Sequence, residues 1–600
     1  MEGIVAVASP KGSASSGSVV ELAGSMAGRL SHRSESVEIL EVGDGALAAI
    51  GAASVGALGQ VAVCVHGEIS LSNEDESTIR ARQEKVGRTA TKAERAAAVI
   101  EQWGADGVDR IRGDFALVAL SLEGTLLVAA RDRSGLKPLL WREHQGRALF
   151  ASEAGPLVDC QGVSRPSVNE GMVAEYLSGA PQGRSETMWA GVDRVEPRTK
   201  IVPTNSSFRV DRMPFRFDRH VDPNQDWDQQ LHDVMVAAVQ SRLAENTTAI
   251  ELSGGFDSTT VLGIAASLRQ PQELLAAIRD YTGTPTDETK YWRAALDQYG
   301  VSANVTPWNV EVAPWMLDDA RVTADRPCLP NLGTWRNELV ALRGQGIDVS
   351  LSGQGGDERL GHSYRLPWQL LASGQVRQAA TAINYHLHIE DGAQWKHLLR
   401  YGPRRILGWH LAESLSPARH VRPRTWLTND LVAQTHLGER LATRRWPNAS
   451  MTQDELASWA FGEIPNQYLE VSERCAARHG IDFRHPFVDP DLVELCLRIP
   501  ESVRTAPSDP RGAHRRVFAR YLPPEVRHRR DKADFTSHYV DRLATEGIFT
   551  DGNSAAVVDM GWVDEQWLQM ALEQLAAGDS SPAGLISVLA TVEAWAASWC

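Results

Sequence analysis

Six cysteines in 600 residues are too few and too scattered to brace a fold. Cys64, Cys160, Cys328, Cys475, Cys496 and Cys600 form no C-x-x-C pair, which excludes a disulfide framework and a structural zinc cage. They read as reduced cytoplasmic thiols. Positive charge is also short: 61 Lys and Arg against 76 Asp and Glu leave a net charge of −15, which argues against sequence-independent binding of nucleic acid. No window of about 18 apolar residues exists for a membrane span, and residues 1–10 lack the basic and apolar regions of a signal peptide. The ordinary nucleotide loop G-x-x-x-x-G-K-S/T is missing too, which removes the Walker class. What is present is ordinary globular material, 43% hydrophobic and 23% charged, enough for large cores and too weakly charged for disorder. A single core rarely grows past about 250–300 residues, so two or three domains are expected.

The first ~200 residues alternate short apolar runs (GIVAVA, GQVAVCV, GDFALVALSL, GTLLVAARD) with Gly and Asp, the pattern of strands. One helical stretch, KAERAAAVIEQW, stands among them and stops at Gly104. This half reads as a sheet-rich α+β domain. From Pro203 to Asp228 the chain turns polar and rich in Pro, Asn and Asp, which predicts a linker and a boundary near residue 215, with domains at 1–215 and 216–600. Beyond it, helical patterns such as WDQQLHDVMVAAVQSRLAE interleave with short apolar strands (AIEL, LLAAI, DVSL), as in a parallel sheet wrapped by helices.

The stretch TTAIELSGGFDSTTVLGIAASL carries the first chemistry. A strand ends at Leu252, Ser253-Gly254-Gly255 turn, and a helix starts near Ser258. Two glycines can aim backbone N–H groups inward while the helix N-terminus adds its positive end, which makes an anion cradle. A plain βα turn fits the glycines equally well. Asp257 shifts the balance, because a carboxylate beside phosphates needs a divalent cation between them and so implies Mg²⁺ with a nucleotide.

SGGFDS resembles the pyrophosphate loop of N-type ATP pyrophosphatases, and LSGQGGDERLG, 100 residues later, resembles a segment of asparagine synthetases from Ser352 to Gly361. GDFALVALSLEGTLLVAARDRSGLKPLLW, LFASEAGPL and GVDRVEPRTKIV are similar to that family's amidotransferase domain; Ser472 to Pro500 and LPPEVRHRRDKADF are similar to its synthetase domain. The resemblance implies an N-terminal α+β Ntn-hydrolase-like (αββα) domain followed by a helix-rich α/β ATP-pyrophosphatase domain. It implies ATP and Mg²⁺ held by Asp257 and Asp357, and a phosphate site of Ser253, Gly254, Gly255, Ser258, Ser352, Gly353, Gly355, Gly356 and Lys532. Asp257, Asp357 and Lys532 become the catalytic candidates. In RHPFVDPDLVE the Pro, Phe and Val side chains are expected to pack a core, and the 18 tryptophans, Trp562, Trp567, Trp595 and Trp599 among them, to pack helices ahead of lining a peptide channel.

The family's glutaminase uses a cysteine at position 2, freed by loss of Met1; this chain has Glu2, which is no such nucleophile and is expected to leave Met1 in place. His66 stands where the family's oxyanion-hole asparagine would be, and GALAAIGAASVGALG replaces the segment that would anchor glutamine. Cys64, in an apolar strand, is not expected to substitute. With glutamine chemistry lost, the amine must come with the substrate, as in β-lactam synthetases and lasso-peptide cyclases. The length of 600 residues, and Gln354 where the former place a catalytic Tyr, favour the cyclase. That reading implies a ligase of peptide-antibiotic maturation acting on a linear core peptide, with a leader peptidase and a leader-binding protein as partners. Ammonia-dependent asparagine synthesis and a non-catalytic precursor-binding scaffold are the rivals.

Overall fold

The computed structural model describes residues 1–9, 18–84, 88–179, 181, 183, 185–204, 207–213, 225–308, 311–325, 334–361, 363–387, 394–411, 425–441, 449–529, 535, 548–549, 555–579 and 581–600. Three sheets organise them. The first half supplies strands β1 (Gly3–Ala8), β2 (Val37–Val42), β3 (Gly45–Ile50), β4 (Ser54–Leu58), β5 (Val61–Gly67), β6 (Phe115–Ser121), β7 (Leu126–Arg131), β8 (Leu140–His144), β9 (Arg147–Ala151), β10 (Asp193–Arg194), β11 (Thr199–Pro203) and β12 (Phe208–Arg212). They pair antiparallel into two sheets, ordered β10-β8-β9-β1-β3-β2 and β12-β11-β7-β6-β5-β4.

Strand periodicity explains why β1 is apolar throughout. Ile4, Ala6 and Ala8 pack against Ala62, Cys64 and Val118 of the second sheet, whereas Val5 and Val7 turn the other way onto Leu22 and Met26 of the helix Val19–Gly28. On the far side, Val63, Val65 and Leu117 receive Ala96, Val99 and Ile100 of the helix Lys92–Trp103. The layers are therefore helix, sheet, sheet, helix, as the resemblance implied. That second helix starts in a Thr91–Glu94 capping box and stops at Gly104, whose φ of +64° suits glycine.

The polar stretch after Pro203 differs from its expected role as linker. Its residues 208–212 form β12, paired with β11 from Pro203↔Phe208 to Thr199↔Arg212, and Phe208 meets Trp141 edge-on at 5.6 Å between ring centroids. An edge strand with one face in water needs few apolar residues, so composition alone conceals it.

The second half builds a parallel sheet from β13 (Thr248–Glu251), β14 (Leu274–Asp280), β15 (Ser302–Pro307), β16 (Val349–Leu351) and β17 (Asp482–Arg484), ordered β15-β14-β13-β16-β17. The chain runs outward from β13 on one side, then returns to continue on the other. The resulting switch point lies between β13 and β16, where neighbouring loops diverge and leave a crevice at the strands' C-terminal ends. Phe487 and Val488 are buried, as expected for packing residues. Trp595 is buried against Trp189 at 5.4 Å and Trp562 at 6.4 Å, while Trp567 meets Trp426 at 5.8 Å, so these tryptophans serve packing. No described helix is long and apolar enough to cross a membrane.

The halves are joined by charge buried along the helix Glu463–Arg478. Arg33, beside β1, donates from Nη1 and Nη2 to Glu473 at 2.8 and 2.7 Å and from Nε to Glu153 at 2.5 Å. Arg131 and Arg194 share Glu470 at 2.7 and 3.0 Å, and Tyr176 donates to Glu463 at 3.1 Å. Burial opposes charge on Glu473, yet the Arg33 guanidinium overrides it and holds the carboxyl well below its ordinary range. Cutting one partner strands a buried charge, so Arg33→Met is expected to lower stability by about 3–5 kcal/mol in urea unfolding. Because the folded Glu473 titrates below its ordinary 4.5, its contribution is full above that pH and is lost as pH falls through the folded value. The wild-type advantage over Glu473→Gln should accordingly shrink from about pH 5 to about pH 3.

Candidate functional site

The crevice at the switch point holds the two glycine-rich turns. After β13, Ser253-Gly254-Gly255 leads into the helix Phe256–Leu268, which starts two residues before the Ser258 that the sequence suggested. Gly255 is its N-cap and makes no side-chain cap, so the helix end presents backbone donors to the crevice. The Ser253 and Ser258 hydroxyls lie 3.2 Å apart, and Ser253 Oγ accepts from the Gly255 N–H at 3.3 Å. Gly254 is required on two counts: its φ is +81°, and a Cβ there would stand 2.7 Å from the Trp292 backbone nitrogen.

The second turn, Ser352 to Gly356 after β16, interlocks with the first. A Cβ on Gly353 would meet the Ser258 nitrogen at 2.6 Å, and one on Gly356 would meet Asp257 Oδ1 at 2.2 Å. Gly355 has a φ of +94° and lies over Val488 and Phe487. Ser352 Oγ is 2.7 Å from Nδ1 of His485, a ring that burial pushes down to about 3 and so keeps neutral. Segments 100 residues apart in sequence thus form one surface.

Asp257 and Asp357 converge on that surface, and Arg511 lies between them. The guanidinium donates from Nη1 to Asp257 Oδ1 at 2.7 Å and from Nη2 to Asp257 Oδ2 at 3.1 Å, and its Nη2 also contacts Asp357 Oδ1. His514, in the helix Gly512–Phe518, places Nδ1 3.3 Å from Asp257 Oδ1 and Nε2 2.8 Å from Thr260 Oγ1; burial holds it far below the usual imidazole range, hence neutral. Two adjacent carboxylates are the hard oxygen donors that Mg²⁺ takes, so the pair fits such an ion, with phosphate or water completing its shell. Among the described residues no group of three or more His, Cys, Asp or Glu side chains is arranged to hold a metal without that help.

Arg511 and His514 carry no motif in the sequence. Arg511 opens a basic run with Arg515 and Arg516, the one hint available. Arg529 was likewise overlooked: it is buried, reaches Glu288 at 2.5 Å and Gly254 O at 3.5 Å, and lies over Tyr291 at 4.1 Å. Lys532 lies outside the described residues.

The crevice is a cavity of about 220 Å³ whose far wall is Glu251, Arg279, Trp335 and Tyr468. A larger cavity, about 780 Å³, lies elsewhere, against Asp348 and Asp482 at the starting ends of β16 and β17. Its charges are spent on one another, as in Lys137–Asp482 at 2.8 Å and Arg242–Asp489 at 2.6 Å. Of these two cavities the smaller is the candidate site, since it joins an uncapped helix end, glycine turns and convergent carboxylates.

At the old glutaminase position, the Glu2 carboxylate accepts from the Gly67 N–H and pairs with Lys92 at 2.9 Å. His66 is buried between Ser152 at 3.3 Å and Glu473 at 3.4 Å. Cys64 is fully buried, which pushes its thiol up to about 12 and leaves it unsuited to replace a nucleophile.

Two family models match the chain. Residues 230–597 match the asparagine synthase model, and residues 3–212 match the glutamine amidotransferase domain. A putative glutamine-hydrolyzing asparagine synthetase of Mycobacterium bovis is 24% identical over 71% of this chain and 67% of its own. The amidase chyE of Penicillium rubens is 27% identical over 76% and 70%, and glutamine-hydrolyzing asparagine synthetase 3 of Bacillus subtilis is 21% identical over 78% and 74%.

The interlock of the turns yields a direct test. Gly356→Ala drives a methyl group into the Asp257 carboxylate and should weaken ATP binding by at least about tenfold, read by titration calorimetry, with the far-ultraviolet circular dichroism unchanged.

Proposed function

The chain belongs to the asparagine synthase family of ATP-dependent amide-forming ligases, and on that premise we propose that it closes a macrolactam in a lasso peptide. The reading rests on one contrast. The phosphate crevice retains Ser253, Gly255, Asp257, Ser352 and Asp357 around one cavity, whereas at the glutaminase position a carboxylate, Glu2, takes the Gly67 N–H. A nucleophile is missing there and a backbone donor is already occupied. The degenerate N-terminal domain, 1–215, then supplies no ammonia to the 216–600 ligase domain, and the amine arrives on the substrate.

In this scheme a side-chain carboxylate of Asp or Glu in a linear core peptide attacks the α-phosphorus of ATP, releasing pyrophosphate. The peptide's N-terminal amine then attacks the activated acyl carbon, forming the isopeptide bond and releasing AMP. Gly255 and the end of the helix Phe256–Leu268 hold pyrophosphate with the Ser253 and Ser258 hydroxyls, and Gly353, Gly355 and Gly356 keep the facing turn close. Asp257 and Asp357 hold Mg²⁺, which neutralises phosphate charge when bound. Lys532 stabilises the leaving group. Tyr468, Trp335 and Arg279 form the wall against which the acyl substrate is positioned, and the rate comes largely from holding amine and acyl carbon together. The five described cysteines are all unbridged, which supports a cytoplasmic setting. A leader peptidase and a leader-binding protein complete the proposed partners.

Ammonia-dependent asparagine synthesis is a second reading, drawn from the names of the mycobacterial and Bacillus relatives. Incubation with ATP, Mg²⁺ and a linear precursor should give peptide-dependent pyrophosphate and a product lighter by one water, with glutamine left intact; Asp257→Ala should abolish both. Asparagine from aspartate and ammonium would favour the second reading. Peptide binding without ATP turnover would leave only the scaffold.

A further inference from the structure

We propose that Arg511 is a resident counter-cation of the metal position: it holds Asp257 and Asp357 together before nucleotide binds and yields the pair to the divalent ion that accompanies ATP. The proposal deepens the ATP reading above and rests on its nucleotide part alone, not on the peptide.

Three observations carry it. One guanidinium contacts both carboxylates, with both nitrogens of its fork on Asp257 and Nη2 reaching Asp357 as well. Two carboxylates facing each other repel, and a guanidinium between them offsets that repulsion. Secondly, a divalent ion seated between Asp257 and Asp357 would occupy the place of the Arg511 guanidinium, and with Arg511 still there it would set two cations against each other. Thirdly, no group of three or more metal-binding side chains is assembled among the described residues, so two carboxylates alone must compete with an arginine for the ion.

Nucleotide changes both sides of the competition. Phosphate oxygens complete the metal's shell, and they also offer the displaced guanidinium a new planar acceptor, which its fork suits as well as a carboxylate does. Arg511 precedes the helix Gly512–Phe518 and packs over the Phe256 ring at 5.4 Å, so it stays tethered beside the first turn of the phosphate-loop helix. The consequence is an order of events: metal binds with nucleotide and hardly at all before it.

The two ligands give opposite signs, which separates this role from a structural one. Mn²⁺ serves as the metal probe, read by electron paramagnetic resonance without nucleotide; a non-hydrolysable α,β-methylene ATP analogue, titrated at saturating Mn²⁺, serves as the nucleotide probe. Arg511→Gln should bind Mn²⁺ alone at least tenfold more tightly than wild type and the analogue at least tenfold more weakly. Adding Asp257→Asn should erase the Mn²⁺ gain and so locate the ion. Unchanged Mn²⁺ affinity in Arg511→Gln, or a wild type that already binds nucleotide-free Mn²⁺ as tightly as the variant, overturns the proposal. Should Arg511→Gln fail to fold, Arg511→Lys carries the test: a lysine keeps the charge but cannot fork across two carboxylates, and Mn²⁺ alone should bind at least threefold more tightly. No arm contains peptide, so a wrong assignment of the acceptor leaves this result standing, and a failure here leaves the acceptor question untouched.

Discussion

The row of carboxylates on the helix Glu463–Arg478 is the constraint on which the rest of the molecule depends. Glu463, Glu470 and Glu473 are spaced at seven and three residues, which puts them on one helical face, and that face meets Tyr176, Arg131, Arg194 and Arg33 of the first half. These ions are withdrawn from water, so each is tolerable only while its partner is in place. Tyr468 stands on the opposite side of the same helix and lines the phosphate crevice. The first half therefore helps to fix the position of a wall of the candidate crevice, which ties the two halves into one structural unit.

The position that the glutaminase reaction would occupy shows the same conversion of chemistry into structure. Glu2 satisfies the Gly67 N–H and pairs with Lys92, and its own carbonyl accepts from Arg33 at 2.8 Å. Arg33 continues to Glu473. His66, Glu153 and Ser152 close around the same guanidinium and carboxylate. A connected set of hydrogen bonds runs from the head of β1 through Arg33 to Glu473 in the second half.

Within the crevice, close packing does what a conserved-looking motif only suggests. Glycine at 353 and 356 is demanded by Ser258 and Asp257, residues of the other turn, so neither turn can be understood alone. The carboxylate pair is set by that interlock and by a guanidinium from a third segment. Electrostatics ties the pair to Arg511, whose guanidinium contacts both carboxylates.

Much was legible in the chain itself. The strand alternation of β1, the stop at Gly104 and the strand–glycine–helix order at Ser253–Ser258 follow from local rules of periodicity and backbone freedom, which act within a few residues. The absence of a nucleophile at Glu2 is a property of one side chain and needs no fold to be seen. The edge strand β12 escaped because half its surface is solvated and its residues are polar. Arg511, His514 and Arg529 escaped for a different reason: each meets residues more than 150 positions away, and nothing in a run of arginines says which one will face Asp257. Sequence by itself determined most of the elements, the strand–glycine–helix turn and the carboxylate at position 2; only tertiary structure decided that Arg511 meets Asp257 and Asp357, because Coulombic partners are chosen by proximity in space and by burial, neither of which is written in the order of the residues.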